Sequence, residues 1–186
     1  EGLVESSEVL HKLAINNHQM KVEGKYQGIY AKTAKSVNDV RERLLAVAHV
    51  NNNIAVGDFS EDLKMYKGIG KRSEEDQIVP SYIRMMENIM GMGEEVIELT
   101  KAAEEGKLDY RADATRFEGQ FREVVEGVNN AVNAFVAPLN IAAEYIDRIS
   151  KGDIPEKITD EYKGDFNEIK DNINACIDGL GGLVES

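Results

Sequence analysis

The residues of this chain with most chemistry to offer are three histidines, one cysteine and one glycine-rich stretch. Glu8 and His11 stand at the Glu-x-x-His spacing that puts a carboxylate and an imidazole on one helix face, as in di-iron bundles. Such a site needs two of these motifs plus two further glutamates, and the motif occurs once, so His11 reads as a solvated residue. His18 and His49 have no Cys or His at ligand spacing, which argues against a metal site. Gly68-Ile69-Gly70-Lys71-Arg72-Ser73 has part of a phosphate-binding loop. Its required first glycine falls on Met65, and Arg72 stands where Ser or Thr should hold magnesium, so a polar connector is expected instead. The acidic clusters Glu74-Glu75-Asp76 and Glu104-Glu105 fit solvated faces or helix-start charges. Asn38, Asn129 and Asn174 have no base or nucleophile converging on them. No catalytic, cofactor or metal site is expected, and an enzyme is the remotest of the readings.

With so little reactive chemistry, the placement of the elements carries the information. The 186 residues include 34 acidic and 22 basic side chains, a net charge of −12. That balance disfavours nucleic acid, whose phosphates need a basic face, and disfavours direct contact with an anionic membrane. No run of 18 apolar residues is present, and the first residues lack the basic start and apolar core of a secretion signal. A single cysteine excludes an internal disulfide and fits a reducing, cytoplasmic setting, whether the parent is membrane-anchored or soluble. With no Trp, three prolines, 6% aromatics and 30% charged residues, the composition suits long amphipathic helices.

Two marks recur along the chain. The first is a turn residue followed two positions on by an apolar one: Gly57-Asp58-Phe59, Gly106-Lys107-Leu108 and Gly152-Asp153-Ile154, with Asn17-His18-Gln19-Met20 a looser fourth. Upstream of the glycines lie Val47, Val50 and Ile54; Val96, Leu99 and Ala103; and Ala142, Tyr145 and Ile149. That is helical spacing stopped by Gly, the usual residue just past a helix end. The second mark is aromatic-x-Gly: Tyr26-Gln27-Gly28, Phe117-Glu118-Gly119 and Tyr162-Lys163-Gly164. Each is followed by a stripe whose steps alternate three and four. The stripes are Tyr30, Thr33, Val37, Val40, Leu44 and Val47; Phe121, Val124, Val128, Ala131, Phe135 and Pro138; and Phe166, Ile169, Ile173, Cys176, Leu180 and Leu183. This is the seam of a coiled coil, and it gives Cys176 a packing role rather than a redox one.

The marks predict four helix–connector–helix repeats over 1–44, 45–90, 91–135 and 136–186, the last running into the start of a further helix. Breaks at Asn17, Gly57, Gly106 and Gly152 are 40, 49 and 46 residues apart. The second repeat departs from the others. Its Tyr66-Lys67-Gly68 is followed by the extra stretch IGKRSEED before a seam resumes at Val79, Tyr82, Met86 and Ile89, so its connector is longer. Pro80 suits a first helical turn. Met85, Met86, Met90 and Met92 around Gly91 and Gly93 predict a soft junction after that repeat. The second helix of one repeat is expected to continue as the first helix of the next.

A helix, then Gly-x-apolar-x-x-x-apolar, then a second helix resembles the HAMP domain, a relay module of bacterial and archaeal receptors. Gly57, Phe59 and Leu63, Gly152, Ile154 and Ile158, and Gly106, Leu108 and Ala112 carry the resemblance. In the first repeat Asn17 replaces the glycine, with Met20 and Val22 as the apolar pair. Pro138 and Asp165 match a proline and an acidic residue common at helix starts in the family. Residues 142–180 look most like the tandem arrays of methyl-accepting chemotaxis proteins and some sensor histidine kinases.

The resemblance implies an all-α rod of stacked repeats, each a parallel four-helix coiled coil in a homodimer. Connector anchors would be Gly57, Phe59, Leu63, Gly106, Leu108, Gly152, Ile154 and Ile158. The bundle core would include Val37, Leu44, Val128, Phe135, Phe166, Ile169, Ile173 and Leu180. Chain geometry points the same way for helix direction. A dozen extended residues at about 3.3 Å each can run back along a helix of roughly 20–25 Å, which makes the two helices parallel. The implied partners are a second copy of the chain and the neighbouring HAMP, sensor and output domains of a parent receptor. The implied function is a signal relay through bistable bundles. A passive helical spacer or a small-ligand-sensing bundle is the alternative, although glycine punctuation is superfluous in a spacer. The pentapeptide GLVES, at residues 2–6 and again at 182–186, is expected to mark a window cut from a longer array.

Overall fold

The computed structural model describes residues 1–184, with side chains through Gly182. The side chain at the seam position expected at Leu183 is not described, and the closing residues Glu185 and Ser186 lie outside the described residues. The described residues form six α-helices, with one short 3-10 turn at Ala114–Arg116 and no strand. The helices are α1 (Gly2–Ala14), α2 (Gly28–Val56), α3 (Ser60–Ile69), α4 (Ile78–Glu104), α5 (Gly119–Ser150) and α6 (Asp165–Val184). The chain divides into two compact halves, Glu1–Glu87 and the residues from Asn88 onward, with the division inside α4. The all-helical class read from the sequence holds.

The recurring marks are backbone devices. Gly57, Gly106 and Gly152 each have φ between 75 and 79°, a left-handed conformation that costs a side-chain-bearing residue roughly 1–2 kcal/mol. At Gly152 the chain closes with Gly152 N–H donating to Ile149 O and Asp153 N–H to Arg148 O, both at 3.0 Å, which satisfies carbonyls that the helix end leaves open. The same pair recurs at the end of α1, but on Asn16 rather than Asn17. Asn16 has φ 59°, its amide donates to Leu13 O, and Asn17 N–H donates to Lys12 O. Asparagine tolerates this region better than other non-glycine residues, so the first repeat carries the same stop one residue earlier than the sequence suggested.

In the first half, Val9, Leu13, Val22, Ala34 and Val37 form one buried cluster, with Tyr26 and Leu44 packed against it. Glu5 on α1 bonds the end of the connector at Glu23, Gly24 and Tyr26, whereas Arg41 on α2 bonds its beginning at His18 O. The connector therefore runs back along α1, and α1 and α2 are parallel. Val50, Phe59, Leu63, Tyr66, Val79 and Met86 are also buried in this half.

The second half has two clusters. One joins Leu99, Ala112, Phe117 and Val125, and the other joins Ile158, Ile173 and Ile177, with Tyr162, Ile154, Ile149 and Tyr145 against it. The proline expected to open a helix, Pro138, lies inside α5, which continues through it. Proline lacks only its own N–H, so the continuation forfeits one backbone bond and carries the strain of the ring against the preceding turn.

The second repeat breaks the pattern. Residues 60–69, expected as an extended connector, form α3, and Leu63 N–H is spent on Phe59 O at 2.9 Å. Glu61 and Asp62 in its first turn suit a helix start, and Tyr66-Lys67-Gly68 is helical rather than a turn. Gly70, φ 64°, ends the helix.

Candidate functional site

What repeats in three connectors is a two-bond clamp by a single asparagine. Asn38 on α2 accepts from Val22 N–H at 2.9 Å and donates to Val22 O at 2.9 Å. Asn129 on α5 does the same to Ala112, at 2.9 and 2.8 Å, and Asn174 on α6 to Ile158, at 2.8 and 3.0 Å. A carboxamide carries a donor and an acceptor side by side, so it satisfies both polar groups of one extended residue, as a neighbouring strand would. Each clamped residue is itself buried: Val22, Ala112 and Ile158. The connector is thus pinned by its apolar side chain and its backbone at one point.

A carboxylate reinforces two of the clamps from the first helix. Glu5 accepts from Glu23 N–H at 2.9 Å, Gly24 N–H at 3.3 Å and the Tyr26 hydroxyl. The Tyr26 hydroxyl above all, then the Glu23 amide, holds the Glu5 carboxyl below its usual value, and Tyr26 is raised in turn. Glu95, buried on α4, accepts from Asp113 N–H at 2.8 Å and pairs with Arg116. Glu98 accepts from the Tyr110 hydroxyl at 3.1 Å. Glu5 and Glu95 each reach the residue just after the clamped one, across an 18-residue separation. The equivalent position holds Ile141 in the fourth repeat and Ala46 in the second. Neither can accept a hydrogen bond.

The sequence-derived anchors fall unevenly. Phe59, Leu63 and Ile158 are buried, and Ile154 is half-buried beside Ile158. Leu108 is 38% exposed, although its carbonyl accepts from Arg111 at 2.7 Å. In the first repeat the residue two after the stop is His18, whose carbonyl accepts from Arg41 at 2.7 Å and whose Nε2 is buried with no partner among the described residues. Of the expected core, Val37 and Ile173 are buried, and Leu44, Val128, Phe166, Ile169 and Leu180 are half-buried. Phe135 is 59% exposed, its ring 5.9 Å from that of Phe166, and Cys176 is exposed.

Sequence reading gave the asparagines no role, although their constant distance from each aromatic-x-Gly was visible. A seam-side amide recurring at one register demands a partner, and that demand was the available signal. Gly91 is also reinterpreted. It is buried under Phe117, whose ring would lie 3.4 Å from an added Cβ, so it seats an aromatic rather than merely loosening a helix. Among the described residues no group of three His, Cys, Asp or Glu side chains could hold a metal, and no helix is long and apolar enough to cross a membrane.

Residues 116–182, from the end of the third connector into α6, match the HAMP domain family model. A 91-residue stretch is 25% identical to the methyl-accepting chemotaxis protein McpB of Pseudomonas aeruginosa, covering 49% of this chain and 13% of that protein. The chain thus spans about an eighth of the length of the curated relative it matches. The HAMP resemblance read from the sequence holds for 116–182, and a general signal-transduction role follows for that segment.

Proposed function

From a HAMP segment whose connector clamp recurs in two further repeats, we propose that the chain is a signal-relay piece of a larger receptor. In this reading all four repeats are HAMP-like, and each forms a parallel four-helix bundle with a second copy of the chain. Input and output come from neighbouring domains of the parent, and the segment sits on the cytoplasmic side. The observation that carries the reading is the asparagine clamp, because a connector held at one backbone point can stay attached while the helices beside it change packing. α2 and α5 each belong to two successive repeats, so a change at one end of either helix is felt at the other. Two packings separated by a few kcal/mol suffice for a switch, and an upstream domain need only prefer one of them.

The second copy is argued from an uncovered face. Val124, Phe135, Leu139 and Ile146 on α5 are 50, 59, 46 and 61% exposed and lie along one stripe. Single exposed apolar residues are ordinary, whereas an aligned row of large ones marks an interface. The sole cysteine, Cys176, sits at the matching seam position of α6 and supplies the test. In a parallel, in-register dimer a short bis-maleimide should join two chains through Cys176, and sedimentation should give twice the chain mass. A helical monomer with no cross-link at micromolar concentration would sink the proposal.

A further inference from the structure

The glycine-rich stretch of the second repeat closes a cavity that no relay role requires. The cavity lies within the first half, between α2, α3 and the start of α4, and its volume is about 220 Å³. Val47, Val79 and Tyr66 give it apolar walls, and Arg43 and Arg72 line it together with Asp76. In a chain of net charge −12, two arginines at one cavity are conspicuous. Among the described residues neither guanidinium takes part in an ion pair.

Asp76 lines the same cavity, but its carboxylate is engaged elsewhere. One oxygen accepts from Arg72 N–H at 2.9 Å, and the other accepts from Ile78 and Val79 N–H at 3.0 and 3.3 Å, capping α4. Two positive charges against one negative leave the cavity with a net positive charge. The loop is otherwise weakly held. The three connectors clamped by asparagine are tied to their second helix, whereas the hydrogen bonds of residues 70–77 run within the loop, to the adjoining start of α4 and to the end of α3.

We propose that this cavity binds a small organic acid: the carboxylate between Arg43 and Arg72, and an apolar body of ring size against Val47, Val79 and Tyr66. Planar guanidinium groups match a carboxylate in geometry as well as charge. The volume falls below the roughly 300–1,000 Å³ of clefts that take drug-sized ligands, so the ligand is metabolite-sized. Bound there, it ties α2 to the connector of the one repeat that has no asparagine clamp. The site stands whether or not the chain relays a signal.

The test is a titration of the whole chain with benzoate, benzylamine and inorganic phosphate, followed by amide shifts in nitrogen-15 spectra. Benzoate should shift Tyr66, Ser73 and Val79 saturably below about 10 mM, the range of a weak metabolite complex. Benzylamine, with the same ring and opposite charge, should not, and phosphate should bind more weakly because it lacks the apolar body. Arg43→Gln and Arg72→Gln should each weaken benzoate binding roughly tenfold, with unchanged helical circular dichroism. Ala46 also lines the cavity, and should either variant fail to fold, Ala46→Leu, which fills the space and keeps both charges, should abolish binding. No saturable shift with benzoate, equal binding of benzylamine or phosphate, or full affinity in the variants would overturn the site.

Discussion

Replacing Asn174 by alanine tests the clamp most directly. The substitution removes two hydrogen bonds to one residue, Ile158, of 2.8 and 3.0 Å. A neutral hydrogen bond contributes about 0.5–1.5 kcal/mol net, and a buried group left without a partner costs about 1–3 kcal/mol. Ile158 is only 6% exposed, so water reaches its backbone poorly and the loss should sit toward the upper part of the first range, about 2–3 kcal/mol for the pair. The Ile158 amide should then exchange with solvent about 30- to 140-fold faster. The Ala112 amide, clamped by a different asparagine, should keep its rate and serves as the internal control. Asn174→Asp sharpens the test. At neutral pH its carboxylate still accepts from the Ile158 amide but opposes the carbonyl, so the amide should exchange fast there too. Below about pH 4 a protonated carboxyl regains a donor, and protection should partly return. If Ile158 exchanges equally in the parent and in Asn174→Ala, the clamp holds nothing and the reasoning fails.

Exchange in the parent chain should also rank the connectors. Glu23 and Asp113, which donate to Glu5 and Glu95, should be better protected than Thr159, which follows a clamped residue but has Ile141 at the register position where the others have a glutamate; equal rates would show that the glutamates add nothing. The Glu5 carboxyl lies below its ordinary value of 4.5 in the folded chain, so its contribution to stability is present above that value. It should be lost as the pH falls through the lower folded value, and Glu5→Gln should flatten this part of an acid-denaturation curve for the first repeat. His18→Leu removes a buried Nε2 without a partner and should stabilise the chain by about 1 kcal/mol, raising the melting temperature by roughly 2–4 °C. An unchanged or lower melting temperature would mean that Nε2 is satisfied in solution.

The punctuation was the most legible part of the sequence, because a left-handed stop and an aromatic-x-Gly start are local and leave residue-type signatures. Gly152 and Gly164, at φ 79 and 56°, bracket a connector whose position was readable from two glycines alone. The seams were harder to resolve. Within one chain, the cluster positions are Ala34 and Val37, Val125 with Val128 and Val132, and Ile169, Ile173 and Ile177. That stripe shares Val37, Val128, Ile169 and Ile173 with the predicted one but extends to one side of it, through Ala34, Val125, Val132 and Ile177, while Val40, Val124 and Phe135 on the predicted seam are 46, 50 and 59% exposed. A helix that contacts one partner buries one edge of its apolar face, whereas a helix in a four-helix bundle needs both edges. A period of 3.5 describes the whole face and cannot tell the edges apart.

The second repeat was misread for a related reason. Phe59, Leu63 and Tyr66 are spaced by four and three, which satisfies both an extended connector with two anchors and one face of a helix. Burial does not separate the two, since all three side chains are buried, Phe59 just before the helix that forms and Leu63 and Tyr66 within it. The backbone decides. An extended connector has N–H and C=O groups that need an outside partner, and the other three repeats supply an asparagine from the second helix. Aligned on its seam at Val79, Tyr82, Met86 and Ile89, the second repeat has Glu87 where the others have Asn38, Asn129 and Asn174, and a carboxylate has no N–H to give a connector carbonyl. Without that amide the segment pairs its own backbone groups by coiling, and Leu63 N–H turns inward to Phe59 O. The asparagine is therefore more than a brace on a finished connector, because its presence or absence tracks which secondary structure the connector takes.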